Sequence, residues 1–351
     1  MEGSEDQPVP EVAGGLPAPP PTSASTRAGS SIAAWIGSPV ALIPLILVGA
    51  VVVVLLFASG LRLFTAWALP YNFGPSFWGT YYNFLPGDPN GSSWGIGTFV
   101  VGTAITAGLA LALATLLSLA LSISIVVYLP SLPSRVLTIL TNLLAGIPSV
   151  VYGIWGFVVL APYFSLSLEP SLRDVIGWIP GFGGPASQIG PNGLLLSIFV
   201  LTIMIIPLTT ALMRDALRSV PHDLVEAGLA LGATRWEVIR RVRMRTARLG
   251  IGSAILLGFG RAVGESVAVA MIIGAVPRLP LSLYSASTTQ ASFIFYQLDS
   301  AFTYPFLLTF LVEIALVLLL ITLIVNVVAQ RLTKVEIATA TTVGAGGTPP
   351  R

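Results

Sequence analysis

The sequence predicts an all-α protein that crosses a membrane six times, and three observations carry that prediction. Hydrophobic residues fill 54% of the 351 positions and charged residues only 9%, against about 25% charged in soluble domains. A chain this long and this poor in charge cannot cover a water-facing surface, so lipid must solvate much of it. Six apolar runs are long enough to span a bilayer as helices, at residues 39–59, 97–128, 136–162, 193–213, 249–275 and 305–329. The basic residues, finally, fall on one side. With both termini cytoplasmic, thirteen lie inside, eight of them arginines from Arg214 to Arg248, and only Arg62, Arg173 and Arg278 lie outside. Such an excess sets orientation.

Each segment has its own character. Residues 1–37 carry Glu2, Glu5, Asp6 and Glu11 ahead of a run of Pro, Ala, Ser and Thr, which reads as a disordered cytoplasmic tail. No apolar core follows a basic start, so no cleavable leader is expected. The membrane domain occupies 38–335, and 336–351 is expected to be a second disordered tail. The run 97–128 is longer than a bilayer requires and must tilt or project. Outside, residues 62–94 are rich in Trp, Tyr and Phe, as at a headgroup interface. Residues 163–192 hold many Gly and Pro, among them Gly181, Gly183, Gly184 and Pro185, and read as irregular. These loops either connect spans or receive a substrate-delivering protein.

Composition also excludes chemistry. There is no cysteine and a single histidine, His222, so disulfides, thiolate nucleophiles and histidine clusters for metal are ruled out. A net charge of +2 gives no reason to expect nucleic acid. No nucleophile–base set of an enzyme is visible. A phosphate-binding P-loop needs Gly-Lys followed by Ser or Thr, but the one lysine, Lys334, follows Thr333. No cofactor is expected on this chain, and any ATP must be used by a partner.

The cytoplasmic segment 214–248 is the most informative. Ser219 is suited to cap a helix, with Pro221 tolerated in its first turn. Leu224, Val225, Leu229 and Leu231 give that helix an apolar face. Gly232 stands where a helix C-terminus needs positive φ. Thr234 and Glu237 make a capping box that starts a second helix. The result is a compact knob of two short helices, suited to a cleft in another protein. The competing reading is an arginine-rich loop held against anionic lipid.

Charges inside the spans come next. Arg261 lies about 16 Å into the fifth run, near mid-bilayer. Glu265 follows at i+4, on the same helix face and within reach. An arginine there costs roughly 2.5–3.5 kcal/mol on insertion scales, so it must face protein or water. Two readings stay open: a self-cancelling structural pair, or an anion site whose guanidinium fork suits tetrahedral oxyanions. In the second, Glu265 loosens the grip of Arg261 so that cargo can leave. Around the pair are Gly258, Gly260 and Gly264. The spacing of the last two favours close helix packing over thinning of the helix for cargo. Glu313, about 12 Å into the sixth run, is a further expected partner for Arg261. In the third run Pro148 should kink or break the helix, with Ser149 and Tyr152 presenting hydroxyls to a path. A plain packing kink is the alternative.

Here the residues carry a family resemblance. Glu226, Ala227, Gly228 and Gly232, in EAGLALG, resemble the E-A-A-x-x-x-G signature of ABC importer permeases, with Gly228 in place of the second alanine. Arg245 stands where the signature carries proline, which puts the exit of the second helix in question. Together with LAGIPSVVYGIWG, LGFGRAVGESVAVAMIIG and the later SLYSASTTQASFI, the chain from about residue 38 to 335 resembles the permease subunits of the phosphate-specific ABC importer, C-type (PstC-like). That resemblance implies the type I importer permease fold. It also implies a sister A-type permease, two ATPase subunits docked on the 214–248 loop, and an extracytoplasmic phosphate-binding protein. Inorganic phosphate would pass by alternating access, with Arg261 and Glu265 in its path. Asn142 stands where the family often has an acid. Two alternatives remain: another oxyanion such as sulfate, or an ion-gradient-driven secondary transporter without an ATPase-docking knob.

Overall fold

The structure, a computed structural model, describes residues 47, 49–51, 53–54, 95–183, 190–303 and 305–344. The chain divides into two units, Met1–Val54 and Leu55–Arg351. In the first, all the described residues are helical; most of the expected span 39–59 and all of the loop 62–94 lie outside the described residues. The second consists of helices joined by turns and loops, with no strand among its described residues.

Four helices are long and apolar enough to cross a membrane among the described residues: Gly97–Tyr128, Ser149–Ile176, Leu194–Arg218 and the stretch Phe310–Val327 of the last helix. We label them in chain order with the shorter elements between them. Helix α1 is Gly97–Ile123, extended by a wide π-type turn, Ser124–Tyr128; α2 is Ser131–Ala145 and α3 is Ser149–Ile176. Helix α4 is Leu194–Arg218 and α5 is His222–Ala230. Helix α6 starts at Arg235–Val238 and continues through a π-type turn to Thr246. Helix α7 is Arg248–Gly264, α8 is Val267–Ile272, α9 is Gln290–Thr303 and α10 is Pro305–Gly344.

Two expected spans are broken. The third run is not one kinked helix over 136–162. It ends at Ala145, passes through Gly146 and Pro148, and restarts at Ser149. Proline has no N–H to continue the ladder and drives the preceding residue out of the α region. Downstream, helix persists to Ile176, so 163–176 is not the irregular loop its prolines suggest. Pro162 and Pro170 each sit in the first turn of a helical segment that follows a wide turn, where a missing N–H is tolerated. The fifth run, expected as one helix over 249–275, stops at Gly264. Glu265 is extended (φ −71°, ψ 115°) before α8 begins. The last helix continues to Gly344, into the segment expected to be a tail.

Helix α4 is the hub, packed along α1, α7 and α2. Its buried faces meet Ala107, Ala110 and Ala114 of α1 and Ala262 and Val263 of α7. Small side chains let these helices approach. A Cβ on Gly258 would lie 2.7 Å from the Thr209 methyl, and Thr209 also shares a 2.6 Å hydroxyl bond with Ser118 of α1. A second core joins α1 to α9 and α10 through Phe99, Phe293 and Phe310. A third joins α3, α4 and α8 through Tyr152, Val200, Met204, Ala268 and Ile272. A fourth ties the knob to the ends of α1 and α4 through Ile123, Leu217, Val225, Val238 and Ile239.

Candidate functional site

Arg261 occupies the last turn of α7, and its guanidinium lies 3.8 Å from the Glu265 carboxylate. The two are not on one helix face as i,i+4 spacing predicts. The helix has ended at Gly264, and Glu265 reaches back across the break. Its other carboxylate oxygen accepts the Ala268 N–H at 3.3 Å. One side chain therefore neutralises the arginine and satisfies an orphan donor at the start of α8. Arg261 is 38% exposed in this chain and Glu265 only 9%. The cation thus faces open space while its counter-ion is held in the protein.

The glycines around the pair divide. Gly258 makes the close helix contact with α4. A Cβ on Gly260 or Gly264 would meet nothing within 4 Å, so their spacing does not reflect close packing within this chain, and the backbone beside Arg261 is bare. The α3 glycines do pack closely: a Cβ on Gly153 would lie 2.8 Å from Met271 Sδ and 3.0 Å from Ala268 Cα. Tyr152 is buried and donates to the Leu144 carbonyl at 3.0 Å. Ser149 is the first residue of α3, half-buried one turn earlier, and Asn142 is exposed on α2. Glu313 is 7% exposed on α10, in the region of the Phe99–Phe310 core. Arg261 pairs with Glu265.

The glycine turn and the capping box of the knob match the reading. Gly232 has φ +83°. Thr234 and Glu237 form the capping box, with the Glu237 carboxylate accepting the Thr234 N–H at 2.9 Å and the Thr234 hydroxyl accepting the Glu237 N–H at 3.3 Å. The Thr234 backbone bond, then that of its hydroxyl, hold the Glu237 carboxyl below its usual range. Ser219 differs. It closes α4, with its hydroxyl donating to the Ala216 carbonyl, and Pro221 occupies the N-cap of α5. Its backbone is helical (φ −70°, ψ −9°), so its side chain cannot turn forward to cap the next helix. Of the expected apolar face only Val225 is buried; Leu224, Leu229 and Leu231 are exposed, together with Trp236. Glu226 and Ala227 are also exposed, and Glu226 pairs with His222 at 3.0 Å. Gly228 faces Val238 of α6, 3.2 Å from where a Cβ would stand.

Residues 114–335 match the family model described as the binding-protein-dependent transport system inner membrane component. The chain belongs to this family. It is 36% identical over 91% of its length to the phosphate transport system permease protein PstC 1 of Mycobacterium tuberculosis, covering 97% of that protein. Against the phosphate transport system permease protein PstC of Haemophilus influenzae it is 36% identical over 84% of its length, covering 90% of that protein.

As an inner membrane component of a binding-protein-dependent transport system, the chain is a multi-pass membrane protein and a transport component. Its fold, helical with no strand among the described residues, is that of an ABC importer permease. In this permease Arg245 does not interrupt the second knob helix. The Ala247 N–H reaches the Arg243 carbonyl at 2.8 Å, and the Ile251 N–H reaches Ala247 at 2.9 Å. Only a hitch at Ala247 separates α6 from α7. Three features escaped the sequence reading: the pairing of His222 with Glu226, the exposed Trp236, and the Glu265 cap on α8. The i,i+4 spacing of His222 and Glu226 was the available signal for the first. The other two depend on which faces the neighbouring helices cover.

Proposed function

We propose that this permease carries inorganic phosphate into the cell, forming a path by alternating access with a sister A-type permease. Two ATPase subunits would supply the energy and an extracytoplasmic phosphate-binding protein the cargo, while this chain binds no cofactor. Both termini lie in the cytoplasm, as the basic residues favour. The observation that carries this reading is Arg261. It is a half-exposed guanidinium beside bare glycine backbone, with its counter-ion buried at 3.8 Å. A guanidinium fork suits phosphate oxygens, and the loose pairing leaves it free to exchange Glu265 for cargo. The relatives named as phosphate transport permeases support phosphate over other oxyanions.

Mechanical continuity supports the rest. The ATPases would dock on Glu226, Ala227, Gly228 and Gly232, on the capping-box residues Thr234 and Glu237, and on the exposed Leu224, Leu229, Leu231 and Trp236. Helix α6 runs through Ala247 into α7, which rises about 20 Å from its first residue, Arg248, to Arg261. A tilt of the knob would therefore move the anion-binding end directly. Ser149, Tyr152 and Glu313 would flank or brace the path.

The test is uptake of labelled phosphate by the reconstituted four-component transporter, with excess sulfate as competitor. ATP-dependent uptake resistant to sulfate is expected. Inhibition by sulfate at comparable concentration would assign another oxyanion. Uptake without ATP, driven by an ion gradient, would reject the importer reading.

A further inference from the structure

The break between α2 and α3 carries a second device. In a continuous helix the Leu144 carbonyl would accept the N–H of residue 148, but residue 148 is proline and has none. The Ile147 N–H reaches that carbonyl only at 3.3 Å. The closer donor is the Tyr152 hydroxyl, at 3.0 Å, from one turn beyond the break. The ring is buried against Met204, Ala268 and Ile272, so the hydroxyl is held in place. Next to it, Gly153 lets α3 lie against Ala268 and Met271 of α8. The first turns of α3 and the whole of α8 thus form one packed pair, and each member begins at a helix break. Glu265 pins the α7–α8 break; Tyr152 pins the α2–α3 break.

We propose that Tyr152 is a positioning residue whose hydroxyl, replacing the N–H that Pro148 lacks, sets the angle of the α2–α3 break and thereby holds the α3–α8 pair in register with Arg261. Tyr152 does not bind the cargo, because its donor is committed to backbone. The inference rests on the import reading above. It predicts a coupling role: with the pin removed, knob movement is absorbed at the break instead of being passed to the pair.

The experiment uses the assembled transporter in proteoliposomes. The chain has no cysteine, so spin labels can be placed through Leu140→Cys on α2 and Val158→Cys on α3, both exposed. Tyr152→Phe keeps the ring and removes the bond. It should lower phosphate moved per ATP hydrolysed by about threefold or more, leave KM for phosphate within about twofold, and broaden the label–label distance distribution. A merely structural role would reduce the amount of assembled complex and both rates together, leaving their ratio intact. A ratio within the parent's range, or a distribution no broader than the parent's, overturns the proposal. Should Tyr152→Phe fail to assemble, Pro148→Ala in the same chain restores an N–H at 148. Recovery of assembly then supports the pin, and failure to recover counts against it. If the parent moves no phosphate, the import reading falls while the distance comparison still decides the hinge.

Discussion

Glu265 holds Arg261 at 3.8 Å with one carboxylate oxygen and caps helix α8 through Ala268 with the other. The carboxylate is therefore a competitor for the guanidinium as well as a structural cap. Glu265→Gln keeps an acceptor for the Ala268 N–H and removes the competing charge. A partly exposed pair is worth roughly 1 kcal/mol or less, so KM for phosphate should fall by up to about fivefold. Release, and with it maximal uptake, should slow. Initial-rate uptake kinetics check this; an unchanged or raised KM would refute the competition.

Arg261→Gln removes the charge but keeps donors. Phosphate uptake should drop to background in cells with normal amounts of the permease in the membrane, and Arg261→Lys should recover part of it, since an ammonium lacks the planar fork. Full uptake by the glutamine variant would sink the anion site.

Gly232 is needed for conformation, not for room. Its φ is +83°, and a Cβ there would meet nothing within 4 Å. Gly232→Ala should destabilise the knob by about 1 kcal/mol, and Gly232→Asn by less, because asparagine visits the left-handed region more readily. Co-purification of the ATPase should weaken in that order. Equal retention by both variants would mean the turn is not held in this conformation.

The capping box carries a pH signature. The Glu237 carboxyl is held below its usual range by its bonds to Thr234. Its pKa is thus lower folded than unfolded, so its stabilisation is complete above the unfolded value, about 4.3. It is lost as pH falls through the folded value. The thermal-stability difference between the parent and Glu237→Gln should therefore be constant near neutrality and shrink as the medium is taken below about pH 4. A difference that persists unchanged in acid would remove the box as its cause.

Two glycines make a matched pair. Gly153→Ala puts a methyl 2.8 Å from Met271 Sδ and 3.0 Å from a backbone Cα, and overpacking of this kind costs about 1–3 kcal/mol. Gly260→Ala meets nothing in this chain and gains helix propensity of about 1 kcal/mol. Thermal unfolding of the purified chain should move down for the first and not for the second. If only the assembled transporter is harmed by Gly260→Ala, that face meets another subunit.

The sequence by itself determined the class, the knob and the charged pair. Low charge over long apolar runs requires lipid as solvent; Gly232 and the Thr234–Glu237 spacing are local signals whose partners lie within four residues; and Arg261 stands out because charge is rare at such depth. Local patterns also placed a kink or break at Pro148, and the structure shows a break. They missed that α3 continues past Pro162 and Pro170, since wide turns that tolerate proline leave no composition signal. Only the tertiary structure decided which glycines are contacts. Gly153 and Gly258 are, while Gly260 and Gly264, with the more suggestive spacing, are not, because contact depends on which helix lies opposite. The partners of Tyr152 and Glu265 were decided in the same way. A proline removes a donor wherever it stands, but which side chain comes to the orphaned carbonyl depends on the direction the chain takes after the break, and packing of α3 and α8 against α4 sets that direction.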